Sequence, residues 1–359
     1  MRQAVVLSLS LLIATIGSAA VLPVGVVAQS APAYRGEWTA DTFHTWRGDD
    51  DQPRVQFNLR TGAGDSRWGF GIRLRDLVGL PPAAVANVAN DVQFSWTREP
   101  GTFRFLGSFD NGRGAGTYTF TPDQTFVTSM ASAGYRNLSS DQIVRLAVVD
   151  VTLSHVRGLA QAGCNSLPIE EVVRTRIHQV TPEFIRDLAA LGYKGVPVES
   201  LIRMAIHGAT PENIRALQAQ GIRSLSVEEL IKFRIHKVTP DFIKALDARG
   251  YKNVYADDLV KMRIHKVTPE EIDQLKTLGY SGMPVDQLVK FRIHKVTPDF
   301  IRSMRDLGFK DVSEEQLVRM RTHNVDAMFV RHAREDGLSV ATPGDAVDLA
   351  IHGPRRRRR

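Results

Sequence analysis

Seven histidines, His178, His207, His236, His265, His294, His323 and His352, follow one another at intervals of 29 residues. A glycine keeps the same interval through Gly163, Gly192, Gly221, Gly250, Gly279, Gly308 and Gly337, and Gly134 lies one interval earlier. The phrase around the histidines reads close to Arg-Ile-His-Lys-Val-Thr-Pro-Asp-Phe-Ile. A unit this short cannot close a hydrophobic core by itself, so each copy must be covered by its neighbours. The expected product is a stack with an extended surface, which favours binding or scaffolding over chemistry in one pocket.

The stretch Thr181 to Thr210 shows what one unit contains. Thr181 suits an N-cap, Pro182 the first helical position, and Glu183 the positive end of the helix dipole. Phe184, Ile185, Leu188 and Leu191 then fall on one face, and Gly192 ends the helix in the left-handed conformation. After Pro197-Val198-Glu199, Leu201, Ile202 and Ile206 mark a second helix that ends at His207-Gly208. Ser226 and Glu229 form a capping box for the second helix of another copy. The array starts before the histidines do, since Gly134-Tyr135 parallels Gly192-Tyr193, with Val149 in the histidine position. The last copy is eroded, with Asn324-Val325-Asp326 where Thr-Pro-Asp is expected.

Upstream the period changes to two. Val55, Phe57 and Leu59 alternate with polar residues, as do Val92, Phe94 and Trp96, and Phe103, Phe105, Tyr118 and Phe120 continue the pattern. Thr61-Gly62-Ala63-Gly64-Asp65 and Asp110-Asn111-Gly112 supply turns, and Pro81-Pro82 opens a short helix. The fold class is therefore α+β and multidomain: a small antiparallel β-meander or sandwich of five or six strands, followed by an α-helical tandem array of 29-residue hairpins.

Arg2, the apolar run from Ala4 to Ile16 and Val26-Val27-Ala28 read as a signal peptide over residues 1–28. An uncleaved membrane anchor is the competing reading. Residues 29–35 are then a linker, 36–120 the β-rich domain, 121–353 the array of about eight copies and 354–359 an arginine tail. Export places the protein in a bacterial periplasm or outside the cell. Only one cysteine is present, Cys164, so no intrachain disulfide can form, and a packing role is expected for it. The net charge is +7, but Arg355, Arg356, Arg357, Arg358 and Arg359 supply five of those charges. The tail is expected to attract an anionic surface or to be a solvated end. The nearly neutral body, together with export, argues against nucleic acid.

Aligned histidines suggest metal. Equivalent residues of stacked helices lie about 8–10 Å apart, too far to share one zinc ion, whose nitrogens sit about 2 Å away. The expected role of each histidine is a C-cap on the second helix, with the ring on terminal carbonyls. A collective pH response is a weaker possibility. His44 beside Asp49, Asp50 and Asp51 lacks the alternating ligands of a hard-metal loop. Arg-x-His elements such as Arg234-Ile235-His236 are expected to pair within the array. No His-Glu-x-x-His, Gly-x-Ser-x-Gly, Gly-x-Gly-x-x-Gly or Walker motif occurs. Neither cofactor, metal nor catalytic residue is expected.

Four phrases carry a family resemblance: Gly36–Ala40 (GEWTA), Gly101–Phe109 (GTFRFLGSF), Gly114–Pro122 (GAGTYTFTP) and the tandem RIHKVTPxFI copies. Together they resemble exported bacterial helical-repeat proteins and the extracytoplasmic C-terminal region of antirepressor zinc metallopeptidases of the BlaR/MecR type. The resemblance implies an extracytoplasmic location and a sensing or partner-binding role. It does not bring the peptidase activity, because the zinc motif is absent. The expected function is a non-catalytic exported protein-binding or scaffolding module whose second-helix faces meet a protein or peptide of the cell envelope. The alternative is an envelope enzyme or enzyme inhibitor with its site in the β domain.

Overall fold

The computed structural model describes residues 34–43, 53–61 and 67–353. The expected signal peptide, the loop with His44 and Asp49 to Asp51, the turn at 62–65 and Arg355 to Arg359 lie outside the described residues.

Six strands form one antiparallel sheet: β1 (Tyr34–Phe43), β2 (Arg54–Thr61), β3 (Arg67–Arg73), β4 (Ala89–Arg98), β5 (Gly101–Asp110) and β6 (Arg113–Pro122). Their order is β3-β2-β1-β6-β5-β4, two three-stranded meanders joined through β1 and β6. β1 begins inside the expected linker, because Tyr34 and Arg35 find partners in Phe120 and Thr119 of the long β6. The β5–β6 turn has Asn111 at φ 46 and Gly112 at φ 89, the double left-handed geometry that Asn-Gly favours. A helix, α1 (Pro82–Ala86), lies between β3 and β4.

The sheet curls on itself in place of packing on a second sheet. Phe70 of edge strand β3 stacks on Trp96 of the opposite edge strand β4, with ring centres 5.2 Å apart. Val78 and Ser95 exchange backbone hydrogen bonds of 2.9 and 2.8 Å across the remaining gap. Alternation sends Trp38, Phe57, Phe94, Phe103, Phe105, Phe109, Tyr118 and Phe120 inward, where all are buried. Trp38 lies at the centre, 5.6–6.0 Å from the rings of Phe57, Phe94, Phe105 and Phe109. Its indole N–H donates to the carbonyls of Leu106 and Thr117, both at 3.1 Å. Gly107 makes room for that ring, since a Cβ there would lie 2.7 Å from Trp38 and 2.2 Å from the Ala115 carbonyl oxygen.

Sixteen further helices are present among the described residues, in eight pairs. They are α2 (Gln124–Ser132) and α3 (Ser140–Val148), α4 (Leu153–Gln161) and α5 (Ile169–Ile177), α6 (Pro182–Ala190) and α7 (Val198–His207), α8 (Pro211–Ala219) and α9 (Val227–Ile235). The array continues with α10 (Pro240–Asp247) and α11 (Ala256–Ile264), α12 (Pro269–Thr277) and α13 (Val285–Ile293), α14 (Pro298–Asp306) and α15 (Glu314–Thr322), α16 (Ala327–Glu335) and α17 (Pro343–His352). First helices pack on first helices, as α12 does on α14, and second on second, as α7 does on α9.

Each first helix is capped the same way. The side chain of Asp123, Thr152, Thr181, Thr210, Thr239, Thr268, Thr297 or Asp326 accepts a hydrogen bond from the backbone N–H three residues on. The last copy is thus less eroded than expected. Asp326, and not Asn324, stands in the threonine register, and a carboxylate caps as well as a hydroxyl. The turn glycines have φ between 75 and 102, and an added Cβ would meet ordinary or no contacts, so conformation and not crowding requires glycine there.

Burial repeats with the same period. Leu201, Ile202 and Met204 are buried, as are Leu230, Ile231 and Phe233, and each turn after a second helix buries one small apolar residue such as Val180, Ala209, Val238 or Val267. These side chains form one continuous cluster along the array. Ile143, Val144 and Ala147 of α3 instead join the core of the sheet, so the first copy is the joint between the two parts. Arg145 lies 4.5 Å over the Trp68 ring, and Asp150 pairs with Arg98 at 3.5 Å and Arg176 at 2.9 Å, tying sheet, first copy and second copy together.

Two glycine substitutions should therefore differ in kind. Gly250→Ala should cost about 1 kcal/mol through its positive φ and leave the near-ultraviolet signal of Trp38 intact. Gly107→Ala should abolish that signal. Circular dichroism of both variants checks the contrast, and a native Trp38 signal in Gly107→Ala would contradict it.

Candidate functional site

The histidines sit where the second helices end. His178, His236, His265, His294 and His323 are C-cap residues, whereas His207 and His352 are the last helical residues before Gly208 and Gly353. The ring is not what satisfies the terminal carbonyls. Among the described residues, one of these rings makes a hydrogen bond, His294 Nδ1 with Thr322 Oγ1 at 3.2 Å. The backbone beyond the histidine does the capping: Val238 N–H donates to the Phe233 carbonyl at 2.8 Å, and Val180, Val267, Val296 and Val325 repeat the bond.

Arginines of the next copy complete the job. The Nε of Arg234, Arg263 and Arg292 donates to the carbonyl of His207, His236 and His265 at 3.4, 3.4 and 3.1 Å. Arg176 does the same to Asp150 at 2.9 Å. Arg263 also covers the first helix of its own copy, 4.9 Å from the Phe242 ring centre, and Arg321 lies 5.1 Å from that of Phe300. The Arg-x-His phrase thus supplies a clamp between copies. The arginine is absent from three copies, which carry Ala147, Ala205 and Ala350 in its place.

A second ladder runs along the outer side of the second helices. Arg174 pairs with Glu199 at 2.7 Å, Arg203 with Glu228 at 2.6 Å, Lys232 with Asp257 at 3.8 Å and Lys261 with Asp286 at 2.8 Å, each reaching 25 residues on into the next copy. Arg145 and Glu170 begin the series. Hydrogen bonding to Arg174 and Arg203 holds the Glu199 and Glu228 carboxyls below their ordinary pKa. Exposed pairs of this kind add little stability but neutralise the face they cover.

What remains free is the edge just before the histidines. Ile177, Ile206, Ile235, Ile264, Ile293 and Ile351 are 42–54% exposed, and they make up six of the eleven large apolar residues that face solvent among the described residues. Equivalent residues of packed helices lie about 8–10 Å apart, so five consecutive isoleucines from Ile177 to Ile293 make a ridge. After the histidines, Lys237, Lys266 and Lys295 are exposed and adopt φ of 56–58. Thr322 interrupts the ridge in the seventh copy. Nothing in amino-acid type alone separates these isoleucines from core residues: Ile206 marks the second helix alongside Leu201 and Ile202, but only those two are buried.

The other polar features are internal. His155 and Thr175 occupy positions that are apolar in most copies, and both are buried. Thr175 Oγ1 donates to the Val172 carbonyl at 2.7 Å, so its 3.0 Å bond with His155 Nε2 is donated by the imidazole. Burial, reinforced by the Arg176 charge, lowers the His155 pKa from 6.5 to about 4. Glu271 replaces the phenylalanine of other copies; burial raises its pKa, Arg292 lies 3.3 Å from Oε1, and Oε2 has no partner. Burial also raises the Cys164 thiol, which stands where Tyr193, Tyr251 and Tyr280 donate to carbonyls of the next copy. A cleft of about 760 Å³ lies between the β4–β5 turn and α4 and α6, but its Arg176, Arg186 and Glu99 already bond to Asp150, Glu183 and the Leu153 N–H. Among the described residues no three His, Cys, Asp or Glu side chains gather as a metal site would need.

In comparisons with known proteins, no family model matches this chain, and no curated protein is significantly similar to it. The ridge and the clamp are properties read from its own geometry.

The internal groups give two expectations. Unfolded chain takes up a proton on His155 near pH 6.5 that the folded protein resists until about pH 4, so this contribution to stability is whole above pH 6.5 and lost as the pH falls toward 4. His155→Phe should remove about 3 kcal/mol of that acid sensitivity, measured by denaturant unfolding between pH 7 and 4. An unchanged slope would assign the sensitivity elsewhere. Glu271→Phe should raise stability by about 1–2 kcal/mol by replacing a buried carboxylate with a ring under Arg292. A fall in the denaturation midpoint would contradict it.

Proposed function

We propose that the protein is a non-catalytic binding module, and that the ridge at the ends of the second helices is the surface it presents to a protein of the cell envelope. One observation carries this reading. Six isoleucines in equivalent positions stay half exposed in an array that buries its other periodic apolar residues and pairs the periodic charges on the faces of its second helices. Surface apolar residues scattered singly mean little, but a connected row marks an interaction site. This moves the contact surface from the outer faces of the second helices to their C-terminal edge, because the ion-pair ladder occupies the faces.

The alternative, an envelope enzyme or inhibitor working from the β domain, needs space for a ligand there. Nine buried aromatic rings fill the inside of the sheet, which favours the array as the working part. An exported location, suggested by the leading 28 residues, and kinship with extracytoplasmic sensing regions, suggested by the four quoted phrases, belong to the same proposal. No helix among the described residues is long and apolar enough to cross a membrane. The arginines at the end of the chain would add attraction to an anionic partner.

A photo-crosslinking residue placed at Ile264 should yield a discrete adduct in envelope extract, and one placed at Tyr255, which is 81% exposed at the other end of α11, should not. Equal labelling from both positions would remove the ridge from the proposal. Mature protein beginning at Gln29 would support export with cleavage, and one beginning at Met1 would support the anchor.

A further inference from the structure

The lysines beside the ridge occupy an unfavourable conformation. Lys237, Lys266 and Lys295 hold φ of 56–58, where a side chain costs about 1 kcal/mol relative to glycine, although Gly208 shows that glycine serves the same turn. Other copies fill this position with Asp150, Gln179, Gly208 and Asn324, whereas three successive copies fill it with lysine. Each lysine is exposed and follows a half-exposed isoleucine and a histidine, so copies four to six repeat an apolar contact beside a hydrogen-bond donor and a positive charge.

The spacing restricts what could use all three copies at once. Packed helices place equivalent residues about 8–10 Å apart. A polyproline II chain advances about 9.3 Å for every three residues, and its backbone carbonyls are free of internal hydrogen bonds. From the ridge reading above, we infer that the ridge binds an extended acidic peptide segment with an apolar side chain at every third residue. Its apolar side chains would lie against Ile235, Ile264 and Ile293, and its carboxylates and carbonyls would accept from Lys237, Lys266 and Lys295. A second copy of this chain fits poorly because it would set lysine against lysine. A lipid surface has no three-residue spacing for the array to match.

The test uses the full chain and two labelled peptides of one composition. One repeats Glu-Pro-Leu about six times, long enough at about 9.3 Å per repeat to follow the ridge, and the other has its leucines at irregular spacing. Anisotropy titration should show the regular peptide binding about tenfold or more tighter than the irregular one. Ile235→Ser, Ile264→Ser and Ile293→Ser combined should abolish that preference. Lys237→Gly, Lys266→Gly and Lys295→Gly combined should weaken binding while raising the thermal midpoint, a pairing that a purely structural role for the lysines does not produce. Equal affinity for the two peptides overturns the inference. So does binding to phosphatidylglycerol vesicles without binding to either peptide, which would point to a membrane. If neither peptide binds while Ile264 still crosslinks to a protein, the inference fails and the binding-module reading survives.

Discussion

Each helical pair leaves an apolar side open, and the next pair closes it. Buried rows such as Leu201, Ile202 and Met204 meet Leu230, Ile231 and Phe233, and the turn residues Val180 to Val325 extend the seam. The consequence is a core without a centre, in which every interior copy has two interfaces and the end copies have one. The joint with the sheet solves the problem at one end. There α3 turns Ile143, Val144 and Ala147 into the aromatic core, so the β domain caps the array.

Polar contacts between copies are organised by the same need. A helix end leaves carbonyls without partners, and stacking brings the next copy within reach of them. Arg263 answers both the His236 carbonyl of the preceding copy and the Phe242 ring of its own first helix. Where the ring is exchanged, a polar contact takes its place. His155 comes with Thr175, and Glu271 comes with the Arg292 ion pair, each an internal exception that keeps most of its hydrogen bonds. Burial then penalises charge on both, in opposite directions of pH.

With periodic apolar groups inside and the charges of the second-helix faces paired, the remaining pattern acquires meaning. The isoleucine before six of the seven histidines projects to solvent because the second helix buries residues such as Leu230, Ile231 and Phe233 and the isoleucine falls on the other side. The histidine is conspicuous in the sequence but serves mainly as the place where the helix stops. Its neighbours on either side, one apolar and one basic, are the groups that face outward.

Much of this was legible from residues alone. The 29-residue interval, the Thr-Pro starts and the glycine stops dictate helical pairs because capping and left-handed turns are local chemistry, and the alternation of Phe103, Phe105 and Phe109 dictates a half-buried strand for the same reason. The sheet order, its curling until Phe70 meets Trp96, the arginine clamp and the exposed isoleucine ridge were decided only by tertiary structure. Those depend on which copy or strand lies beside which, and a residue such as Ile235 reads the same in sequence whether its neighbour covers it or leaves it to solvent.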